Sequence, residues 1–99
     1  MFQIIAGEPR VNKKQFDARF KSAGSVEERI SLLDAYAGEL FEKGDYSEAV
    51  KIYSQALKIS KQPNVKAYFT GRIGICHFNA GNDKEAFSNL LKSTRTFEP

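Results

Sequence analysis

Gly44-Asp45-Tyr46-Ser47-Glu48-Ala49 and Gly81-Asn82-Asp83-Lys84-Glu85-Ala86 are two versions of one six-residue pattern, set 37 residues apart. In each, a glycine able to take a left-handed turn is followed by an Asp or Asn and, three residues later, a Glu. That order marks one helix ending and the next beginning with almost no loop between. Upstream of the first copy, Ile30, Leu33, Tyr36, Ala37, Leu40 and Phe41 recur at helical spacing, and Ser25-Val26-Glu27-Glu28 reads as a capping box. The spacing predicts a helix over about 26–43. Downstream, Ala49, Val50, Tyr53, Ala56 and Leu57 carry a second stripe over 46–61, which Pro63 prevents from continuing.

The second copy is flanked in the same way. Tyr68, Phe69, Ile73, Ile75, Cys76 and Phe78 predict a helix from about Val65 to Asn79 that is apolar on more than one side, and so the most buried of the set. After Gly81, residues Ala86, Phe87, Leu90, Leu91 and Thr94 predict a last helix running to about Thr96. Phe16 and Phe20, four apart among basic residues, suggest a short amphipathic helix within 11–23. Residues 1–10 stay unassigned: Ile4-Ile5 fits a short strand or a docking tail, and Gly7-Glu8-Pro9 breaks the chain. The fold class is therefore all-α, antiparallel helical hairpins stacked as a short solenoid. A hairpin of this kind cannot bury both of its apolar faces alone, which is why such units stack.

These residues resemble the tetratricopeptide repeat family, whose 34-residue unit carries a W-x2-L-G-x2-Y, A-x3-F, P pattern. The Gly44-Asp45-Tyr46 turn followed by Ala49, Tyr53 and Ala56 is the best match, and Ile73-Gly74 with Ala86 and Leu90 follows in the second unit. Leu33 and Thr70 replace the Trp, Tyr36-Ala37 the Leu-Gly pair, Leu40 and His77 the Tyr, and Ser93 the later Ala. The three residues by which the offset exceeds the family unit fall around Pro63 to Lys66. The resemblance spans about 30–99 and divides the chain into an N-terminal extension, 1–24, and a repeat domain, 25–99, with units at about 30–63 and 67–99. A microtubule-interacting-and-transport-like hairpin shares the Gly-Asp-Tyr turn, but the second copy of the turn argues against it.

Ninety-nine residues leave room for one domain or part of a longer array, and 41% apolar with 27% charged residues excludes pervasive disorder and a collagen-like chain. Arg10, Lys13, Lys14, Arg19 and Lys21, against Glu8 and Asp17, account for the whole net charge of +3. This basic patch carries an alternative function, attachment to nucleic acid or an anionic membrane, which the solvated face of a helix explains more simply. Cys76 is the single cysteine, so an intrachain disulfide is excluded and a reducing, cytoplasmic location fits best. The apolar opening Met1–Gly7 runs into Glu8 and Pro9 and is too short for a signal peptide or a membrane span.

Nothing in the pattern assembles a nucleophile with a base, a metal-ligand cluster or a phosphate loop, so the reading is non-enzymatic, with no cofactor and no metal. Cys76 and His77 are adjacent and so point about 100 degrees apart on a helix. Gly71-Arg72-Ile73-Gly74 falls inside a helix with no preceding strand. What the resemblance implies instead is protein binding in a concave groove lined by the first helix of each unit. Its positions fall on Ser31, Asp34, Ala35, Gly38, Phe41 and Glu42 in the first unit, and on Tyr68, Gly71, Arg72, Ile75, Phe78 and Asn79 in the second. Asp34, Phe41, Tyr68, Arg72, Ile75 and Asn79 are the groove candidates, with Tyr68, Arg72 and Asn79 first for polar contacts. Packing of Phe41, Ile75 and Phe78 on the N-terminal segment is the competing reading. Asp34 and Gly38 stand where a clamp for a C-terminal carboxylate would need Lys and Asn, so that family function does not carry over. Phe87, Leu91, Thr94 and Phe97 have no following unit to cover them and make a candidate self-association face. The expected partner is a protein or peptide, or a second copy of the chain.

Overall fold

Both motif glycines sit in the left-handed region, Gly44 at φ +83° and Gly81 at φ +87°. Each lets the chain reverse within three residues. Asp45 N–H donates to the Leu40 carbonyl at 2.9 Å and Gly44 N–H to that of Phe41 at 3.0 Å. Asn82 to His77 at 2.7 Å and Gly81 to Phe78 at 3.1 Å repeat the arrangement. This is the Schellman closure, in which two orphan carbonyls at a helix C-terminus are satisfied by the residues of the turn itself.

The computed structural model describes the backbone of residues 13–97 and the side chains of 13–93. Among the described residues there are five helices and no strand: α1 (Lys13–Ser22), α2 (Val26–Glu42), α3 (Tyr46–Ile59), α4 (Pro63–Asn79) and α5 (Asp83–Phe97). Each packs chiefly on its sequence neighbour, so α2–α3 and α4–α5 form two hairpins joined along the α3–α4 seam, with α1 set lightly on α2. The readings of Arg10, of Ile4-Ile5 and of a helix beginning at Val11 lie outside the described residues, as do the side chains of Thr94 and Phe97.

Local chemistry accounts for the boundaries and corrects several expected ones. Ser25 Oγ accepts from Glu28 N–H at 3.1 Å, as a capping box requires, but Glu28 Oε1 reaches back to the Gly24 N–H at 3.0 Å instead of to that of Ser25. The other two boxes do not close. Asp45 makes no side-chain cap, Glu48 turns to Lys51 at 3.7 Å, and the Asn82 amide lies 3.3 Å from His77 Nδ1. The helix expected to reach 61 ends at Ile59, where Ser60 takes an extended conformation and its Oγ donates to the Ala56 carbonyl at 2.6 Å. Pro63 does more than stop that helix. It occupies the first turn of α4, which starts two residues before Val65 because proline's fixed φ suits that position and its missing N–H is not needed there.

The core runs along the α2–α3–α4 seams: Leu33, Tyr36, Ala37 and Leu40 from α2, Ala49, Ile52, Tyr53 and Ala56 from α3, Phe69, Ile73 and Cys76 from α4. Tyr53 and Phe69, each 1% exposed, meet across the α3–α4 seam with ring centroids 6.0 Å apart. The predicted N-terminal helix is present as α1. Phe16 stacks on Tyr36 at 4.5 Å while Arg29 lies over Phe20 at 5.6 Å, so α1 runs antiparallel to α2. In the second hairpin a methyl on Gly74 would stand 2.9 Å from Leu90 Cγ and 3.2 Å from the Ala86 carbonyl, so α4 and α5 approach closely only because that position is bare. The expectation that α4 would be the most buried holds for its inner side alone, since Tyr68 and Phe78 are exposed.

Candidate functional site: a groove between α2 and α4

The exposed side of α4 faces the first helix of the preceding hairpin. Tyr68 Oη donates to Asp34 Oδ1 and Oδ2 at 3.1 and 3.3 Å, and one turn further Arg72 Cζ lies 5.3 Å from the centre of the Phe41 ring. The contacts advance along both helices together, so α2 and α4 run in the same direction on either side of the candidate groove.

Arg72 is held from several sides. Its Nε and Nη2 donate to Tyr53 Oη at 3.3 and 3.2 Å, and the guanidinium rests between the Phe41 and Tyr53 rings, 5.3 and 5.5 Å from their centres. Phe41 is itself held edge-on by Tyr46 at 5.3 Å. Burial alone would lower the Arg72 pKa, but the Tyr53 hydroxyl and its other neighbours outweigh this and raise it. The groove therefore keeps a fixed positive charge. Burial raises the pKa of the Tyr53 phenol, against the pull of Arg72. Tyr68 is raised by burial and by the Asp34 carboxylate, so both phenols carry their protons at neutral pH.

Of the six groove candidates, Asp34, Phe41, Tyr68 and Arg72 come together in this way, and Ile75 is half-buried one turn beyond Arg72. Asn79 does not join them: its Nδ2 donates to the carbonyl of Ile75 in its own helix at 2.9 Å. Tyr68 remains 44% exposed and Phe78 64% exposed, the latter on the flank of α4 turned away from α2. Tyr53 was legible only as a core aromatic, although a Tyr where the resembling family carries Phe was a signal that a hydroxyl had work beneath the groove. A cleft of about 510 Å3 at the N-terminal ends of α2 and α4, floored by Val26, Ile30, Ile59 and Val65, had no sequence signal, because α3 and α4 contribute to it from either side of the Pro63 junction.

The other candidate surfaces separate cleanly. Phe87 is 70% exposed on α5, with Leu91 exposed one turn on. On α1, Lys14, Arg19 and Lys21 are exposed, and Lys13 is spent on Asp17 at 3.1 Å. Cys76 is buried in the core, which raises its thiol pKa. Among the described residues no helix is long and apolar enough to cross a membrane.

Stacked antiparallel hairpins with glycine turns and a groove between alternate helices define a helical-repeat architecture compatible with the tetratricopeptide-like resemblance. Over 50 residues, 50% of its length, the chain is 40% identical to the photosystem I assembly protein Ycf3 of Rippkaea orientalis. The matched stretch covers 29% of that protein. No family model matches the chain, and no solved structure does.

Proposed function

We propose that the chain is a non-enzymatic protein-interaction module of the tetratricopeptide type, in which the α2–α4 groove takes a segment of a partner protein and so helps to gather components of a complex. The observation that carries this is the pairing of exposed aromatic surface at Tyr68 with a guanidinium already fixed at Arg72. Aromatic and Arg side chains held in place before binding are the usual anchors of protein interfaces, because little entropy remains to be lost. The similarity to an assembly protein supports the same reading. In it, residues 25–99 are the module and α1 covers the outer face of the first hairpin, with Phe16 inward and its charges outward. The buried, reduced Cys76 is in keeping with a cytoplasmic setting.

Self-association through Phe87 and Leu91 is a second reading, favoured by the exposure of a large aromatic on the outer helix. Attachment of α1 to nucleic acid or membrane is the weakest, since Lys13 is already neutralised by Asp17. The groove is tested with peptides selected on the purified chain from a random 12-residue display library. Their amide chemical-shift changes should gather at Asp34, Tyr68, Arg72 and Ile75. Changes confined to α5, or a selection that enriches nothing, would reject the groove.

A further inference from the structure

The two ends of the stack are finished differently. Phe78 and Phe87 hold in the second hairpin the places of Phe41 and Val50 in the first. Phe41 lies under Arg72, and Val50 lines a small cleft opposite Cys76 and His77 of α4, so both face the helix that follows their own hairpin. Their equivalents stay open: Phe78 is 64% exposed and Phe87 70%, with Leu91 exposed one turn beyond. Since α4 runs antiparallel to α3, the matching face of the second hairpin fits a helix antiparallel to α5. The other end is closed by α1, which turns Phe16 inward and exposes Lys14, Arg19 and Lys21 with no large apolar group. Charge separates the ends further. The first turn of α5 holds Asp83 and Glu85 with Lys84, whereas its second half holds Lys92 and Arg95 with no acid. That basic half would be repelled by the basic α1 of another copy, but it complements the net-acidic first turn of a second α5 laid antiparallel to it.

Resting on the self-association reading above, we propose that the occupant of this face is a second copy of the chain. The two α5 helices lie antiparallel about a two-fold axis, Phe87 of each on Leu91 of the other, with Phe78 at the edge of the seam. The same patch is used on both copies, so the assembly closes at two, and the polar α1 end offers no site from which a fibre could grow. Asp34, Tyr68 and Arg72 meet on the side of α4 toward α2, away from Phe78, so pairing leaves both grooves open. The pair therefore presents two grooves at once, and a partner with two suitable segments is held at both, the second binding step having become intramolecular.

Sedimentation equilibrium and isotope-filtered NMR test this. One helix face makes a small interface and hence a weak pair, so sedimentation is followed from low-micromolar to millimolar chain, where it should fit monomer and dimer and nothing larger. Phe87→Glu should weaken pairing roughly tenfold or more, as loss of a central aromatic anchor does, and leave the urea midpoint close to that of the natural chain. Leu91→Lys should act in the same way, and this guards against a single variant that folds poorly. In a mixture of isotope-labelled and unlabelled chain, the Phe87 ring should show intermolecular contacts to Leu91 of the second copy and none to Phe87 of the second copy. Species larger than a dimer, or Phe87 rings in contact with each other, would overturn the closed antiparallel pair and leave self-association standing. A chain that stays monomeric throughout assigns the face to a different protein and overturns both, as does a dimer that neither variant weakens.

Discussion

The two hairpins share a turn and differ in what covers them. Ala49 and Ala86, the repeat-related residues after each glycine turn, are both buried against the helix before them. Beyond that the pairs diverge. Val50 is half-buried on α3, and its counterpart Phe87 is 70% exposed on α5. Phe41 lies under the guanidinium of Arg72, and its counterpart Phe78 is 64% exposed. The group that covers Phe41 comes from α4, the first helix of the second hairpin, and Val50 packs against the core that α4 completes. Local sequence sets the turn, and place in the stack sets the burial.

The largest effects should separate the covered seam from the open face. Phe69→Ala, on the α3–α4 seam, removes a 1%-exposed ring and should cost about 3–5 kcal/mol in urea unfolding, a large part of the stability of a domain this size. Phe87→Ala should stay within about 0.5 kcal/mol of the natural chain while weakening any concentration-dependent association seen in sedimentation. If Phe87→Ala costs as much as Phe69→Ala with the chain monomeric throughout, α5 is covered after all and the contrast between the hairpins fails.

A smaller effect should be equal in the two hairpins. Gly44→Ala and Gly81→Ala each force an L-residue into positive φ, where a new methyl meets nothing within 4 Å, so the cost is backbone strain alone, about 1–2 kcal/mol. Matching losses would show that the turn chemistry is independent of its neighbours. A much larger loss at Gly44 would mean that the first turn is held in part by the second hairpin.

These two experiments also mark what was legible beforehand. The hairpins were readable because Gly turns and helical spacing are local: an apolar residue every three or four positions, then a left-handed stop, specifies the same structure wherever it occurs. The exposed apolar side of α4 was visible too, as stripes on more than one face, but periodicity does not say which stripe a neighbour will cover. Capping failed at Asp45 for a related reason. The Schellman turn leaves only Lys43, Gly44 and Asp45 between the helices and sets the Asp45 backbone at φ −89° and ψ 67°, outside the extended conformation that a capping side chain needs, and Glu48 finds Lys51 within its own helix. Asn82, in the equivalent place, is drawn to His77. Within the groove, Arg72 and Tyr68 could be placed on the right face from their spacing, whereas the Tyr53 hydroxyl beneath Arg72 depends on how two hairpins meet. No single-helix pattern contains that information.

The mildest perturbation is alkaline pH, and it should act on one side of the comparison only. Burial raises the Cys76 thiol from its ordinary 9.0 and the Tyr53 phenol from its ordinary 10.0, and both lie on the α3–α4 seam. Tyr68, more exposed, adds less. A group whose pKa is higher folded than unfolded stabilises the fold fully below the unfolded value. Above it the unfolded chain sheds its proton more readily than the folded one, and stability falls, by at most about 1.4 kcal/mol per pH unit per group. The urea midpoint should therefore be flat up to about pH 9, decline gently from there as the unfolded thiol ionises, and fall more steeply above 10. Cys76→Ala should remove the first decline and keep the second. Because α5 contains neither Tyr nor Cys, its amides should gain exchange only with those of α4, as the seam opens. Earlier loss of α5 alone at pH 10, measured against the same helix at pH 7, would show that the outer helix and not the seam limits stability.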